Sequence, residues 1–127
     1  MVSTRDWKLL LLDDEEELVS ALADRLRLRG IRAETVLNCE EALENMKREP
    51  PQVMVMDVLL AGTSCVGMLK QIKKDYPQTE VILMSGRVFT EREIANFFRL
   101  GAACYLQKPF KTEVLLFEIL DVLKIPR

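Results

Sequence analysis

The chain contains 127 residues, of which 49% are hydrophobic and 30% are charged. This length suits one domain, and the apolar fraction is sufficient for one buried core, which argues against a disordered chain. The net charge of -2 disfavours a globally basic nucleic-acid binder, because such proteins neutralise phosphates with excess lysine and arginine. The sequence has no histidine, which excludes Ser-His-Asp and Cys-His catalysis and histidine-ligated metals. A metal site would therefore use oxygen ligands, which favour Mg, Ca or Mn.

Membrane insertion and a disulfide framework are also disfavoured by the sequence. No apolar stretch approaches the roughly 20 residues that span a bilayer, and residues 1–8 contain no apolar signal-peptide core. The three cysteines, Cys39, Cys65 and Cys104, are odd in number and form no CxxC pair. We therefore expect them to act as small hydrophobic residues of the core.

The first part of the chain predicts two strands, each followed by a helix. Leu9–Leu12 is an uninterrupted apolar run, which suits a strand buried on both faces. Residues 15–29 predict a helix, with acids in its first turn and arginines in its last, as the helix dipole favours. Its apolar stripe is predicted to contain Leu18, Ala21, Leu22 and Leu26. Residues 31–36 alternate like an edge strand with one exposed face, and Asn38 with Glu41 resembles a capping box for the next helix.

The second part of the chain predicts three further strands, at Val53–Met56, Val81–Met84 and Cys104–Leu106. A helix follows each of them, within residues 66–76, 90–100 and 112–124. Such alternation indicates an α/β fold with helices on both faces of a parallel sheet. The predicted fold class is a doubly wound (βα)5 domain with a five-stranded parallel sheet in the order 2-1-3-4-5, the flavodoxin-like arrangement.

Polar side chains stop the predicted strands, and right-handed crossovers place every such stop at one edge of the sheet. They are Asp13, Asp14, Asp57, Ser85 and Lys108. Ligands of open α/β sheets bind at this edge, close to the point where the strand order reverses. In the predicted order that reversal lies between the first and third strands, which carry the three aspartates.

Three carboxylates in one crevice repel each other unless a positive charge compensates them. A divalent cation with oxygen ligands would do so, and Mg²⁺ typically binds one or two carboxylates together with phosphate and water. Lys108 would supply a compact charge for a phosphate oxygen, and Ser85 would supply a hydroxyl donor. Since an aspartate can accept a phosphoryl group as an acyl phosphate, the residues favour magnesium-dependent phosphoryl chemistry.

The chain resembles the receiver domains of two-component response regulators over roughly its whole length. The resemblance rests on Asp13-Asp14-Glu15 after the first strand, Asp57 after the third, Ser85-Gly86 after the fourth and Lys108-Pro109-Phe110 after the fifth. Each motif is common alone, but their order and their positions at strand ends make the set specific.

The resemblance implies a role for each residue at the strand ends. Asp57 would be the phosphoacceptor, with Lys108 pairing with the phosphoryl group and Ser85 donating a hydrogen bond to it. The predicted metal ligands for Mg²⁺ are Asp13 through water, Asp14 directly, Asp57 and the backbone carbonyl of Leu59. Tyr105 would be the aromatic switch residue together with Ser85, and the Lys108-Pro109 peptide bond would be cis.

The resemblance also implies the partners and the location of the domain. The phosphoryl donor would be a sensor histidine kinase or a phosphotransfer protein, and the domain would be a cytoplasmic signalling module with at most slow self-dephosphorylation. Helix 112–124 is apolar nearly all round, which predicts that it contacts a second copy or an output domain. We expect no direct contact with nucleic acid or membrane.

The sequence departs from the family in the loop after the predicted phosphoacceptor. Family members usually read Met-Pro-Gly-Met-Asp-Gly or similar there, whereas this chain has Leu60-Ala61-Gly62-Thr63-Ser64-Cys65. Leu59 and Arg87 stand two residues after Asp57 and Ser85, at positions that influence phosphoryl lifetime in the family. We expect these two side chains to shield an acyl phosphate from water.

Two other function classes fit the residues less well than a receiver domain does. A flavin-binding redox protein needs a phosphate loop after the first strand, where acidic residues 13–17 would repel a phosphate. A phosphatase of the haloacid dehalogenase type carries a second aspartate two residues after its nucleophile, where this chain has Leu59. We expect residues 1–127 to form a single receiver domain, with 125–127 either a natural end or the start of a linker to a longer regulator.

Overall fold

The computed structural model describes residues 7–124, and residues 1–6 and 125–127 lie outside the described residues. The first of these segments contains most of residues 1–8, in which the sequence shows no signal-peptide core. The second is the expected chain end or linker. The strands in the described part are β1 Lys8–Leu12, β2 Arg32–Val36, β3 Val53–Asp57, β4 Leu59–Leu60, β5 Thr63–Ser64, β6 Glu80–Ser85 and β7 Cys104–Gln107. The helices there are α1 Glu16–Arg27, α2 Cys39–Arg48, α3 Val66–Asp75, α4 Glu91–Arg99 and α5 Thr112–Val122.

The five longer strands form one parallel sheet in the order β2-β1-β3-β6-β7. This order is the predicted 2-1-3-4-5, because β4 and β5 form only a separate two-stranded hairpin. The register pairs Leu12 with Met56, Asp57 with Met84, and Ser85 with Gln107. The polar residues that follow or end β1, β3, β6 and β7 therefore lie at one edge of the sheet.

The sheet separates two hydrophobic clusters, which explains why its central strands are apolar on both faces. Leu10, Leu12, Met54 and Met56 pack with the buried residues of α2, α3 and α4. Alternate residues of the same strands, such as Leu9 and Val55, pack with α1 and α5. Side chains at the C-terminal ends of these strands are thus positioned by a core on each side.

The buried stripe of α1 differs from the one predicted. Leu26 is buried and Leu22 is half-buried as expected, but Leu18 is 60% exposed and Ala21 is also exposed. Val19 and Ala23 take their places in the core. Residues 19, 23 and 26 follow the i, i+4, i+7 spacing of one helical face, and residue 18 lies one step, about 100°, away from it.

The β4–β5 hairpin was not predicted from the sequence. Its two turn residues, Ala61 and Gly62, both have positive φ, at 51° and 77°. Two positive values are typical of the tight turns that join antiparallel strands, but alanine seldom adopts them and gives no turn signal. The unusual loop after Asp57 therefore folds as a short hairpin.

The start of α2 follows the predicted cap with one change of partner. The Asn38 side chain accepts a hydrogen bond from the Glu41 backbone N–H at 2.9 Å. The Glu41 carboxylate accepts from the backbone N–H of Leu37 at 3.0 Å, one residue before the position of a standard capping box. This fixes Cys39 as the first residue of the helix.

The last helix buries one face in the core and leaves other apolar side chains exposed. Leu115 and Ile119 are fully buried, whereas Val114 and Phe117 remain 43% and 46% exposed. Among residues 7–124, no helix is long and apolar enough to cross a membrane.

Candidate functional site

Asp57 ends β3 and provides the central carboxylate of the site. Its residue is only 6% exposed. One oxygen, Oδ1, accepts a hydrogen bond from the backbone N–H of Leu59 at 2.8 Å, and the other, Oδ2, lies 2.7 Å from Nζ of Lys108. Both oxygens are held by donors, so the carboxylate has a fixed orientation at the sheet edge.

Asp13 follows β1 on the neighbouring strand and lies beside Asp57. Its Oδ2 atom is 2.6 Å from the Lys108 ammonium, and its Oδ1 atom accepts from the Glu15 backbone N–H at 3.0 Å. The Glu15 carboxylate lies 3.5 Å from the same ammonium. Lys108 therefore contacts three acids that come from two different strand ends.

The three acids could also share a metal ion. One carboxylate oxygen from each of Asp13, Glu15 and Asp57 lies within 4.8 Å of the others. Hard oxygen donors of this kind are the ligands that Mg²⁺ and Ca²⁺ take in proteins. The donor set thus fits a hard divalent cation, but it contains Glu15 where the sequence predicts Asp14.

Asp14 reaches the site from its exposed side. Its Oδ2 atom accepts a hydrogen bond at 2.8 Å from the backbone N–H of Ala61, in the hairpin that follows Asp57. Asp14 and Asp57 therefore occupy the same end of the sheet. The direct ligation by Asp14, the water-mediated role of Asp13 and the ligand role of the Leu59 carbonyl stay predictions.

Lys108 is positioned by the strand beside it and is strongly favoured in its charged form. Its backbone N–H donates to the Ser85 carbonyl at 2.8 Å, which ties the end of β7 to the end of β6. Burial alone would lower the pKa of Lys108, but the hydrogen bonds that its ammonium donates to Asp13 and Asp57 outweigh burial and raise that pKa above its ordinary value. The peptide bond between Lys108 and Pro109 is cis, as predicted.

Ser85 ends β6 with its residue almost fully buried. Its hydroxyl oxygen accepts a hydrogen bond from the backbone N–H of Arg87 at 3.0 Å. The backbone N–H of Val58, which follows Asp57, donates to the carbonyl of Met84, which precedes Ser85, at 2.9 Å. This hydrogen bond holds the ends of β3 and β6 side by side. Ser85 thus occupies the strand end adjacent to the phosphoacceptor candidate.

Tyr105 is half-buried in an aromatic group beside the site. Its ring centroid lies 6.2 Å from that of Phe89 and 5.8 Å from that of Phe97, and its hydroxyl donates to the Arg87 carbonyl at 3.3 Å. Burial raises the pKa of Tyr105, the negative charge of Asp57 adds to that rise, and a hydrogen bond with Ser85 opposes it. Tyr105 is therefore tied to the loop that follows Ser85 through the Arg87 carbonyl.

A comparison with protein families identifies the family to which this fold and site belong. The family model for the response regulator receiver domain matches residues 9–120, which is most of the chain. The chain belongs to the response regulator receiver domain family. Its function is that of a receiver domain of response regulators in two-component systems.

The receiver domain is similar to several curated response regulators. It is 32% identical over 123 residues to the putative response regulator NtrX-like of Rickettsia conorii, covering 93% of this chain and 26% of that protein. It is 36% identical over 109 residues to the response regulator protein FleR of Pseudomonas aeruginosa, covering 86% of this chain and 23% of that protein. The chain thus spans about a quarter of the length of these relatives.

Solved receiver structures share the fold. The BeF3-activated DrrB receiver domain has a TM-score of 0.81 and 30% identity, covering 93% of this chain and 97% of that one. The beryllofluoride-activated NtrC4 receiver domain dimer has a TM-score of 0.85 and 28% identity, covering 92% and 96% of the two chains. These likenesses cover more than nine-tenths of the chain.

Some residues of this receiver domain that contact the site were not given a role by the sequence analysis. Glu15 belongs to the acidic cluster, although the sequence marks it only as the last residue of the Asp13-Asp14-Glu15 motif and part of the acidic run. Phe89 contacts Phe97 edge to face at 5.2 Å between centroids, and the Arg87 guanidinium lies 5.2 Å from the centre of the Phe89 ring. Nothing in the local sequence pattern distinguishes Phe89 from an ordinary loop aromatic, so only the fold reveals its contact with Tyr105.

Proposed function

We propose that this receiver domain accepts a phosphoryl group on Asp57 from the phosphohistidine of a sensor histidine kinase or phosphotransfer protein. The observation that carries the proposal is the contact of Asp57 Oδ2 with Lys108 Nζ at 2.7 Å, inside a cluster that also contains Asp13 and Glu15. A carboxylate held beside a lysine ammonium and two further acids suits transfer of a charged phosphoryl group.

The transfer would form one bond and break one. An oxygen of Asp57 attacks the phosphorus of the donor, a phosphorus–oxygen bond forms, and the phosphorus–nitrogen bond breaks as the donor imidazole leaves with its electron pair. The Lys108 ammonium neutralises charge on the phosphoryl oxygens, and the Leu59 N–H orients the attacking carboxylate. Bound Mg²⁺, held by Asp13, Asp14, Asp57 and the Leu59 carbonyl, would supply the remaining positive charge for those oxygens.

Phosphorylation would then change the surface around β7. The new acyl phosphate would recruit the Ser85 hydroxyl and the Lys108 ammonium. Tyr105 would follow through Arg87, whose N–H donates to the Ser85 hydroxyl and whose carbonyl accepts from Tyr105. Since Tyr105 packs against Phe89 and Phe97, this movement would reach α4 and the residues just before it. The response is a shift in population between two arrangements of the same fold.

The domain would act as a phosphoacceptor module with at most slow self-dephosphorylation. Asp57 has Leu59 two residues later, where a phosphatase of the dehalogenase type would need an acid. The absence of histidine from the chain also leaves no imidazole base for rapid hydrolysis.

The described surface suggests where partners would dock. An apolar depression of about 300 Å³ between α1 and the start of α5 leads to Asp13 and Lys108, and Leu18 lines it. This depression would receive the kinase or phosphotransfer protein, which must bring its phosphohistidine to Asp57. The exposed side chains of Val114 and Phe117 would contact a second copy or an output domain. We place this exchange in the cytoplasm, and direct contact with nucleic acid or membrane is not part of the proposal.

The proposal is tested by incubating the protein with acetyl phosphate and following its intact mass. Wild type should gain the mass of one phosphoryl group when Mg²⁺ is present, and Asp57→Asn should gain nothing. Asp75→Asn is the matched control, because Asp75 is an exposed aspartate at the end of α3. A gain that survives Asp57→Asn would refute the acceptor, and an equal gain without divalent cation would refute the metal requirement.

A further inference from the structure

The side chain of Gln107 connects Ser85 and Tyr105, the two residues that would move on phosphorylation. Gln107 ends β7 and pairs with Ser85, which ends β6. Its Nε2 atom donates a hydrogen bond to the Ser85 carbonyl at 3.1 Å, and its Oε1 atom accepts from the Tyr105 hydroxyl at 3.5 Å. We refer to these two contacts as the Gln107 bridge.

The orientation of the Gln107 amide is fixed by its neighbours. The carbonyls of Ser85 and Lys108 lie 3.1 and 3.4 Å from Nε2, and a carbonyl can only accept a hydrogen bond. The NH2 group of the amide must therefore face them, which leaves Oε1 for Tyr105. The Tyr105 hydroxyl has one proton and a second acceptor, the Arg87 carbonyl at 3.3 Å, so Gln107 shares that proton with the loop after Ser85.

The Gln107 bridge belongs to the arrangement in which Asp57 is a free carboxylate. In this arrangement Oδ2 of Asp57 lies 2.7 Å from Nζ of Lys108. The proposed function moves Ser85 and Tyr105 once Asp57 is phosphorylated, and a movement of Tyr105 away from Gln107 breaks the bridge. A contact that is made in one arrangement and lost in the other favours the first.

We propose that Gln107 is a positioning residue that holds Tyr105 in the unphosphorylated arrangement and thereby slows phosphoryl uptake at Asp57. This role rests on the proposed function of Asp57 and Tyr105. Gln107 is exposed, so breaking the bridge returns its amide to water, and the Ser85 carbonyl keeps the backbone N–H of Lys108 at 2.8 Å. The restraint is therefore weak and reversible, as exchange between two arrangements of one fold requires.

The role is tested by the initial rate of phosphoryl uptake from acetyl phosphate and Mg²⁺, followed by intact mass. Gln107→Leu removes both polar atoms of the amide. It should take up the phosphoryl group about two- to five-fold faster than wild type, the range expected when one weak hydrogen bond is lost from the starting arrangement. An unchanged or slower rate would overturn the role of Gln107.

Gln71→Leu is the matched control, because Gln71 is an exposed glutamine of α3, and it should react at the rate of wild type. A double-mutant cycle then separates the bridge from a merely structural effect. Because Tyr105→Phe lacks the hydroxyl that Gln107 accepts from, adding Gln107→Leu to Tyr105→Phe should leave the rate of that variant unchanged. Equal acceleration in both backgrounds would overturn the action of Gln107 through Tyr105.

Failure of this role and failure of the proposed function give different results. Wild type that takes up no phosphoryl group would overturn the proposed function and the role of Gln107 together. Uptake that requires Asp57 but has the same rate in wild type and Gln107→Leu would overturn the role of Gln107 alone and leave the proposed function standing.

Discussion

The Nζ atom of Lys108 lies 2.7 Å from Oδ2 of Asp57, although the two residues are 51 positions apart in the sequence. The same ammonium lies 2.6 Å from Oδ2 of Asp13 and 3.5 Å from the Glu15 carboxylate. One positive charge thus offsets three negative charges in a partly buried site, where repulsion between like charges is poorly screened. Lys108 therefore stabilises the folded state by compensating these acids.

Replacing Lys108 should destabilise the protein in a way that a divalent cation repairs. Without the ammonium, Asp13 and Asp57 remain buried and uncompensated, which should cost about 1–3 kcal/mol of unfolding free energy in metal-free buffer. Added Mg²⁺ should raise the stability of Lys108→Ala more than that of wild type. Urea unfolding followed by the fluorescence of Trp7, which is buried, measures both effects.

The matched control for this comparison is Lys111→Ala, because Lys111 is an exposed lysine three residues away, at the cap of α5. It should unfold like wild type with and without Mg²⁺. A Lys108→Ala protein that is as stable as wild type, or that gains no more from Mg²⁺, would contradict the compensating role.

The Mg²⁺ affinities of two variants should distinguish the role of Asp14 from that of Glu15. Glu15 lies in the acidic cluster, but its side chain is 54% exposed, whereas the Asp14 carboxylate is held by the Ala61 N–H in the hairpin beside Asp57. We expect Asp14→Asn to weaken Mg²⁺ binding about 10-fold or more and Glu15→Gln to change it much less. Calorimetric titration with Mg²⁺ gives both affinities. A larger loss with Glu15→Gln would assign the direct ligand to Glu15 instead.

Most of the fold follows from the sequence because its strands are short apolar runs buried on both faces. Runs such as Leu9–Leu12 and Val53–Met56 leave few other structures possible, and the polar residues after them mark the sheet edge. The parallel order then brings Asp13, Asp57 and Lys108 together without any local signal linking them.

What the sequence did not reveal depends on tertiary contacts. Leu18 is as apolar as the residues of the buried α1 face, so composition alone cannot show that it faces solvent. The turn at Ala61 requires a positive φ, and an alanine in the sequence does not predict such a value. The inclusion of Glu15 in the acidic cluster depends on the direction of its side chain, which periodicity does not specify.

Phe89 should control the surroundings of Tyr105. The two rings contact edge to face, and burial is the main reason that the pKa of Tyr105 is raised. Phe89→Ala should expose the phenol, return its pKa towards the ordinary value and lower the unfolding free energy by about 1–3 kcal/mol, since Phe89 is only half-buried. Absorbance titration of phenolate in a Tyr76→Phe background isolates Tyr105.

The control for Phe89→Ala is Phe98→Ala, because Phe98 lies on the exposed side of α4 and is 46% exposed. It should leave the titration of Tyr105 unchanged. An unchanged pKa of Tyr105 in Phe89→Ala would show that Phe97 alone provides the apolar environment.

Cys104 should make the fold less stable as the solution becomes alkaline. Burial, reinforced by the hydrogen bond and charge of Glu118, raises the pKa of this thiol from 9.0 to about 12. Between those values the unfolded chain has lost the thiol proton and the folded chain still holds it, so stability falls as pH rises, by up to about 1 kcal/mol per pH unit. Below pH 9 both states are protonated, and the effect is absent.

Urea unfolding of wild type and Cys104→Ser across pH 8 to 10.5 tests whether the free energy of unfolding falls as pH rises. Serine keeps a hydrogen-bond donor near Glu118 but does not titrate in this range, so the variant should lose less stability per pH unit above pH 9 than wild type does. The contributions of Cys65, Tyr105 and Lys108, whose raised pKa values act in the same direction, are common to both proteins and cancel in the difference. Parallel curves for the two proteins would mean that the Cys104 thiol ionises equally in the folded and unfolded states.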